Sequence, residues 1–261
     1  MQYIDINCDM GESFGAWSMG EDEAVLYAIS SANVACGFHA GDPRVMDRTV
    51  ARAKALGVGV GAHPAFPDLV GFGRRNMALS REEAITDVLY QIGALSAFCR
   101  RHGVTLDHVK PHGQLNNLAM QDAGLAEAIV EAVAGYDPHL ILVSYGGELA
   151  RAAAERGLMI AREVYADRAY HENGMLVSRK VTGSVIHDPE EVVRRAVKMV
   201  VEGAIDTVEG SVLRVEPDTI CVHGDTPGAA VLAKRLREAL EAAGVAVRPL
   251  REVMAHRASG D

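Results

Sequence analysis

Four histidines stand at equivalent points of the chain, each at the end of a short apolar run of the kind that forms a β-strand. These residues are His39, His63, His112 and His223. Imidazole suits general acid or base catalysis, because its ordinary pKa of about 6.5 lies near physiological pH. A single buried histidine is usually structural, but four at equivalent strand ends indicate a shared chemical purpose. We take all four as candidate catalytic residues.

Successive side chains of a strand point to opposite sides, and in five of the seven predicted strands the polar side chains occupy one face. The polar faces carry Asp5, Asn7 and Asp9; Asn33 and His39; His63; His108, Lys110 and His112; and Cys221, His223 and Asp225. Parallel strands covered by apolar groups on both faces would read as continuous apolar runs. The pattern therefore predicts the interior of a β/α barrel, with the polar groups converging on the C-terminal rim, where such barrels have their active sites.

Lys110 is the charge of this set that most requires a partner, because an unpaired ammonium is costly to bury. The carboxylates of Asp5 and Asp9 and the amide of Asn7 are its expected counterparts. In a hydrolase, such an ammonium stabilises a developing oxyanion, while Asp9 or a rim histidine activates water. Asp9 and Lys110 therefore join the candidate catalytic residues, and the assignment of roles among the histidines stays open.

Short strand-like runs alternate with longer helical patterns along all 261 residues, which is typical of an α/β protein with a parallel sheet or barrel. Strands are predicted near 3–9, 32–38, 58–63, 106–112, 139–144, 158–163 and 218–223, with 245–249 as a weak eighth. Helices are predicted near 20–30, 43–56, 80–102, 119–134, 146–156, 189–209 and 227–243. No linker divides the chain, so we expect residues 1–261 to form one barrel domain. Residues 256–261 are expected to fray.

Two connections, 64–79 and 164–188, are longer than is usual after a strand, and such loops commonly carry function. The first contains Arg74 and Arg75, and the second contains Asp167, Arg168 and Arg179. Guanidinium groups placed over the rim would hold a substrate carboxylate or phosphate. We therefore add a predicted substrate-binding set to the catalytic one, consisting of Asn7, Glu12, Arg74, Arg75, Asp167, Arg168, Arg179 and Asp225.

Composition excludes several classes of partner. A net charge of −9 and a pI near 5.6 argue against nucleic acid or an anionic membrane surface, which require a concentrated basic patch. No long uncharged apolar run indicates a membrane span, and no signal peptide is recognisable. The cysteines form no paired motif, which predicts reduced thiols in a cytoplasmic protein; they are Cys8, Cys36, Cys99 and Cys221.

Local motifs give little support to other chemistries. Residues 11–15 match the nucleophile elbow around Ser13, but no helix starts directly after this serine and no earlier strand supplies an oxyanion loop. A nucleotide P-loop motif is absent, so the sequence gives no ATP site of its own. A metal stays an open alternative, to which we assign no residue, because the possible ligands are dispersed: Asp9, Glu12, His39, His63, His112 and His223.

Seven longer motifs, spread from end to end, carry a resemblance to a known family. They are Asn-Cys-Asp-Met-Gly-Glu-Ser-Phe at 7–14, Asn-Val-Ala-Cys-Gly-Phe-His-Ala-Gly-Asp-Pro at 33–43, Gly-Ala-His-Pro at 61–64, Gly-Phe-Gly-Arg-Arg at 71–75, Val-Lys-Pro-His-Gly at 109–113, Ala-Asp-Arg-Ala-Tyr at 166–170 and Val-His-Gly-Asp-Thr-Pro at 222–227. Through them the chain resembles the LamB/YcsF family of lactam-utilisation proteins. The Gln-Leu-Asn sequence at 114–116 departs from the family, which more often has a small residue followed by Leu-Tyr-Asn.

The resemblance implies a (β/α)7-type, TIM-like barrel similar to the polysaccharide-deacetylase and glycoside hydrolase barrels. It also implies a role in an ATP-dependent 5-oxoprolinase, a hydrolase of a cyclic amide C–N bond that converts 5-oxoproline to L-glutamate. Partner subunits B and C are implied as well, and they would bind ATP and phosphorylate the lactam. Opening a resonance-stabilised amide is weakly driven, so activation by ATP from outside this chain is chemically reasonable.

Two other functions remain compatible with the residues. The first is a metal-dependent C–N hydrolase acting on an N-acetyl sugar, which the acids and histidines would also suit. The second is a non-catalytic subunit that binds 5-oxoproline and presents it to catalytic partners. The sequence leaves open whether the chain forms a homo-oligomer.

Overall fold

The computed structural model describes residues 1–224 and 228–260, which form a β/α barrel. In chain order the strands are β1 Tyr3–Met10, β2 Ser31–Ala35, β3 Gly59–His63, β4 Leu106–Val109, β5 Ile141–Ser144, β6 Met159–Tyr165, β7 Ala204–Asp206, β8 Val212–Arg214, β9 Thr219–Val222 and β10 Ala246–Val247. The helices are α1 Asp22–Val25, α2 Pro43–Leu56, α3 Arg81–His102, α4 Gly113–Ala119, α5 Ala123–Tyr136, α6 Gly147–Arg156, α7 Pro189–Val197, α8 Ala229–Ala242 and α9 Leu250–Ser259.

Pairing between the first and last long strands closes the barrel. Strand β1 pairs in parallel with β9 from Asp5↔Thr219 to Cys8↔Val222, and with β2 on its other side. Among the described residues, seven parallel strands thus form a ring in the order β1-β2-β3-β4-β5-β6-β9. The predicted seven-stranded barrel is confirmed. The weak eighth strand is also present, since β10 pairs with the first residues of β1.

Helix α9 covers the N-terminal end of the barrel. Its side chains Leu250 and Met254 form a small apolar cluster with Ile141, Val143 and Ala161, all of them buried. The backbone N–H of Leu250 also donates to the hydroxyl of Ser31, the first residue of β2. The interior is therefore apolar at this end and polar towards the opposite rim.

The prediction that residues 256–261 fray is wrong for the first four of them. Helix α9 runs to Ser259, and the His256 ring stacks on Tyr3 at 4.1 Å between ring centroids. Helix α9 is short and its apolar residues repeat with only weak helical periodicity, so the helix is stabilised by packing on the barrel end that it covers.

The helices predicted near 43–56, 80–102 and 189–209 begin directly after Asp42, Ser80 and Asp188, which cap them, and Ser80 forms a capping box with Glu83. Three predicted helices differ in extent. The helix near 20–30 is reduced to α1, and the helix near 119–134 is α5, which begins at Ala123 because the Asp122 side chain caps its start; α4, which precedes it, was not predicted. The helix near 189–209 continues from α7 as a π-turn only to Glu202, and the β7–β8 hairpin follows.

The polar strand faces meet inside the barrel, as the alternation predicts. Asn7 of β1 donates to the hydroxyl of Thr219 in β9, and Asn33 of β2 donates to Asn7 Oδ1. The His108 ring of β4 reaches across to Asn33, at 2.7 Å between Nε2 and Oδ1. Gly61 makes room for that ring, because a Cβ added there would lie 2.1 Å from it. The interior is thus a connected hydrogen-bond network rather than an apolar core.

Asp5 anchors this network near the apolar end and gives a testable prediction. Burial raises the pKa of its carboxyl from 3.8 to about 6, although Ser30 and Thr219 donate to its two oxygens at 2.6 and 2.5 Å. A raised carboxyl pKa contributes stability that is present below pH 4 and lost as the pH rises towards 6. The free energy of unfolding of Asp5→Asn minus that of wild type should therefore be about 3 kcal/mol larger at pH 7 than at pH 4.

Urea unfolding of both proteins at each pH measures this difference. Asp42→Asn is the matched control, because the Gly15 backbone N–H holds the pKa of the Asp42 carboxyl below its ordinary value, so no such gain is expected. A difference between Asp5→Asn and wild type that stays constant with pH would contradict the prediction.

Candidate active site

Lys110 follows the last residue of β4, and its ammonium lies in the barrel interior with 5% of the residue exposed. Its Nζ atom is 2.8 Å from Glu163 Oε1, 3.2 Å from Asp9 Oδ1 and 3.2 Å from Asn7 Oδ1. Burial alone would lower the pKa of this ammonium, but Asp9, Cys221 and Glu163 together hold it above its ordinary value. Lys110 is therefore a fixed positive charge, and its predicted contacts with Asp9 and Asn7 are present.

Asp9 connects Lys110 to the histidines of the rim. Burial would raise the pKa of its carboxyl, but His63 and Lys110 keep it well below the ordinary value, so Asp9 is ionised. One carboxylate oxygen accepts from Asn33 at 2.9 Å, and the other lies 3.3 Å from His63 Nε2. Asp9 thus holds a negative charge between an ammonium and an imidazole.

Glu163 and Tyr165, both on β6, belong to the site and were missed by the sequence analysis. Glu163 accepts from Asn7 at 3.0 Å and from the Tyr165 hydroxyl. The Lys110 ammonium lies 5.7 Å from the centroid of the Tyr165 ring. Burial, followed by Glu163, raises the pKa of Tyr165 well above 10, so the phenol stays neutral. The available signal was an acid at the last residue of the strand predicted near 158–163, followed two positions later by an aromatic residue that the prediction left outside the strand.

Three of the four rim histidines gather with Glu12 at one side of the rim. One donor atom from each of Glu12, His39, His63 and His112 lies within 4.8 Å of the others. The rings of His39 and His112 stack at 3.8 Å between centroids, and His63 stands perpendicular to both. Burial is the main cause that lowers the pKa of His39 and of His112 well below 6.5, so both are neutral near pH 7. These residues are the described ones that could hold a metal ion.

His223 lies apart from that group and pairs with Asp167. Its Nδ1 is 2.6 Å from Asp167 Oδ2, and its Nε2 accepts from the Arg179 guanidinium at 3.1 Å. Burial would raise the pKa of Asp167, but its hydrogen bond with His223 keeps that pKa below the ordinary value. Since Arg179 can only donate, Nε2 carries a lone pair and Nδ1–H points to Asp167. This carboxylate–imidazole pair is suited to proton transfer.

A cavity of about 230 Å³ separates the two groups of histidines. It is lined on one side by residues that include Asp9, His63, Lys110 and His112, and on the other by residues that include Tyr165, Arg168, Arg179 and His223. A larger groove of about 830 Å³ lies outside the barrel beside the β7–β8 hairpin, and none of the four rim histidines is among the residues lining it. The smaller cavity is the candidate active site.

The structure separates the predicted substrate-binding residues. Arg74 and Arg168 line the cavity, and Arg168 also donates to the Val177 carbonyl at 2.6 Å. Arg75 instead pairs with Asp68, with 2.8 Å between Nε and Oδ1, and is not among the residues lining the cavity. Asp225 lies outside the described residues.

Comparisons with known proteins agree with this architecture. The family model described as "LamB/YcsF family" matches residues 4–255. The chain is 54% identical to a protein of Syntrophobacter fumaroxidans that is named as the A subunit of 5-oxoprolinase, over 244 residues that cover 93% of this chain and 96% of the relative. The protein of the same name from Natranaerobius thermophilus is 51% identical over 251 residues, with 96% and 98% covered.

Solved structures give the same result. A lactam utilization protein from Thermus thermophilus superposes with a TM-score of 0.92 at 50% identity, covering 95% of this chain and 99% of that one. A peptidoglycan deacetylase from Bacillus subtilis shares the fold alone, with a TM-score of 0.51 at 14% identity and coverage of 99% and 94%. The described residues contain no helix long and apolar enough to cross a membrane. From its motifs, its barrel and these relatives, the chain belongs to the LamB/YcsF family.

Proposed function

We propose that this chain is the A subunit of an ATP-dependent 5-oxoprolinase and opens the lactam ring of 5-oxoproline to give L-glutamate. Relatives of that name, half identical over nearly their whole length, support the proposal. The observation that carries it is a fixed ammonium on the cavity wall, held by Asp9 and Glu163, with the His223–Asp167 pair on the opposite wall. Charge stabilisation and proton transfer are the two functions that amide hydrolysis requires.

Lys110 is the residue that stabilises negative charge in this proposal. As water adds to the phosphorylated ring carbon, the C=N electrons move to the ring nitrogen and negative charge develops on the oxygen that water contributes; a preorganised cation next to that oxygen lowers the barrier. The ammonium is already paired with Asp9 and Glu163, so it needs no reorganisation during the reaction. Tyr165, which packs beside both Lys110 and His223, keeps this part of the cavity partly apolar.

His223 is the general base and acid. Its Nε2 lone pair, fixed by the Nδ1–H bond to Asp167, takes a proton from the attacking water and returns it to the ring nitrogen as the C–N bond breaks. Arg179, which donates to the same atom, shifts to the substrate carboxylate or phosphate when the substrate binds, together with Arg74 and Arg168 on the cavity wall. In this scheme, Asp9 orients Lys110 and His63.

The ATP-dependent step belongs to partner subunits B and C in the cytoplasm. They transfer a phosphoryl group from ATP to the lactam oxygen, which makes the ring carbon more electrophilic. Water adds to that carbon in the cavity and its two protons pass to the ring nitrogen as the C–N bond breaks, which leaves an acyl phosphate. A second water hydrolyses the acyl phosphate and releases phosphate and glutamate. The absence of a P-loop motif from this sequence supports such a division of labour.

Reconstitution tests the proposed function. We expect glutamate to form from 5-oxoproline and ATP when this chain is mixed with candidate B and C subunits, and little to form from this chain alone. Amino-acid analysis measures glutamate, and ADP release is followed in the same samples. Glutamate formation by B and C at the same rate with and without this chain would contradict the proposal.

Replacing the buried ammonium tests its role. Lys110→Met should lower glutamate formation by the complete system at least about 10²-fold, because the oxyanion loses its cation. It should also cost about 3–5 kcal/mol of unfolding free energy, because Asp9 and Glu163 lose their shared partner. Activity is therefore measured at a temperature where circular dichroism shows the variant folded. Lys234→Met, on the exposed face of α8, is the control and should retain activity. Near-normal turnover of folded Lys110→Met removes Lys110 from the mechanism.

The Asp167 carboxylate provides a separate test of the proton-transfer pair. Asp167→Asn should reduce kcat by about 10²-fold or more with little change in KM, because an amide no longer favours the Nδ1–H form of His223. Glu209→Gln is the matched control, since Glu209 pairs with His171 on the surface at 2.6 Å between Oε1 and Nδ1. Equal kcat values for the two variants would exclude the pair from catalysis.

A further inference from the structure

The group of Glu12, His39, His63 and His112 has no assigned function in the proposed mechanism, although its donor atoms face one another. His63 Nε2 and His112 Nδ1 are 3.0 Å apart. Glu12 Oε1 is 3.6 Å from His112 Nδ1 and 3.0 Å from His39 Nε2. The four atoms thus surround one small volume at the edge of the cavity.

Backbone carbonyls fix which nitrogen of two rings carries hydrogen. His63 Nδ1 lies 2.6 Å from the Lys110 carbonyl oxygen, and His112 Nε2 lies 2.9 Å from that of Phe72. A carbonyl oxygen can only accept, so both of these outward nitrogens are N–H donors. The remaining nitrogen of each ring, His63 Nε2 and His112 Nδ1, is therefore the one that can offer a lone pair to a cation.

Two lone pairs directed at each other across 3.0 Å repel unless a proton or a metal ion lies between them, and Asp9 Oδ2, 3.3 Å from His63 Nε2, adds negative charge beside that position. The Glu12 carboxylate adds a third acceptor on the same side. His112 Nδ1 is 3.0 Å from His63 Nε2 and 3.6 Å from Glu12 Oε1. Two ligand atoms of a tetrahedral metal site with bonds of about 2 Å are about 3.3 Å apart, which lies between these two distances. Carbonyl bonds to the outer nitrogens are the arrangement that orients histidine ligands at metal centres.

We propose that His63 Nε2, His112 Nδ1 and Glu12 Oε1 bind a divalent transition-metal ion of the zinc class. His39 is a positioning residue, because its Nε2–H donates to Glu12 and orients the carboxylate. Three protein ligands leave a fourth position for water or a substrate oxygen, as in catalytic zinc sites. The position faces the cavity, since His63 and His112 line its wall.

Metal binding can be measured without substrate or partner subunits, so its outcome does not depend on the proposed function. Untagged protein is stripped with a chelator and titrated with Zn²⁺ in competition with a chromophoric chelator. We expect about one equivalent to bind to wild type, and the affinity to fall at least about 10²-fold in His112→Ala and in Glu12→Gln. Co²⁺ should give the visible bands of a four-coordinate site with nitrogen ligands.

His171→Ala is the matched control, because it removes the imidazole of a surface histidine–glutamate pair and should leave Zn²⁺ affinity unchanged. Circular dichroism establishes that each variant is folded, and the wild-type Co²⁺ spectrum supplies a test that needs no variant. The proposal is overturned if wild type does not bind Zn²⁺, or if it binds Zn²⁺ no more tightly than folded His112→Ala does. It is also overturned if nitrogen NMR shows His63 protonated at both ring nitrogens in excess Zn²⁺, because a proton would then occupy the position of the metal.

Discussion

The buried ammonium of Lys110 is the constraint on which the rest of the site depends. A positive charge in a strand interior is tolerated only with opposite charge and hydrogen bonds around it. Asp9 from β1 and Glu163 from β6 supply that charge, and Asn7 supplies a further oxygen. Only β9 separates β1 from β6 in the ring, and its pairing with β1 closes the barrel, so both ion pairs can form together only when the barrel is closed. The charge network and the closure of the sheet therefore stabilise each other.

This constraint explains the unequal ends of the barrel. At the N-terminal end, α9 and β5 fill the interior with apolar side chains, and the buried hydroxyl of Ser31 is paired with the backbone N–H of Leu250. Farther along, each polar group bonds to the next, from Asp5 through Asn7 to Asn33 and His108. At the C-terminal rim the last polar groups of the network are not enclosed by the barrel, and they line the cavity instead. Function is possible there because the layers below hold the groups in place.

Two chemically different walls share the candidate active site. One wall has imidazole nitrogens and a carboxylate gathered around one small volume, which suits a cation. The other has His223 and Asp167 with arginines, which suits proton transfer and anion binding. The long loop after β6 carries Asp167, Arg168 and Arg179, so that wall is built by a connection rather than by strands.

Sequence by itself determined the order of strands and helices, the polar face of each strand and the residue types at the rim, because these depend on periodicity along the chain. It did not reveal the β7–β8 hairpin or α9, whose short segments are stabilised by tertiary contacts. Nor did it reveal the pairing of Lys110 with Glu163, or the separation of His223 from the other three histidines. Alternation fixes which face a side chain occupies, but only strand order and register fix its position around the ring.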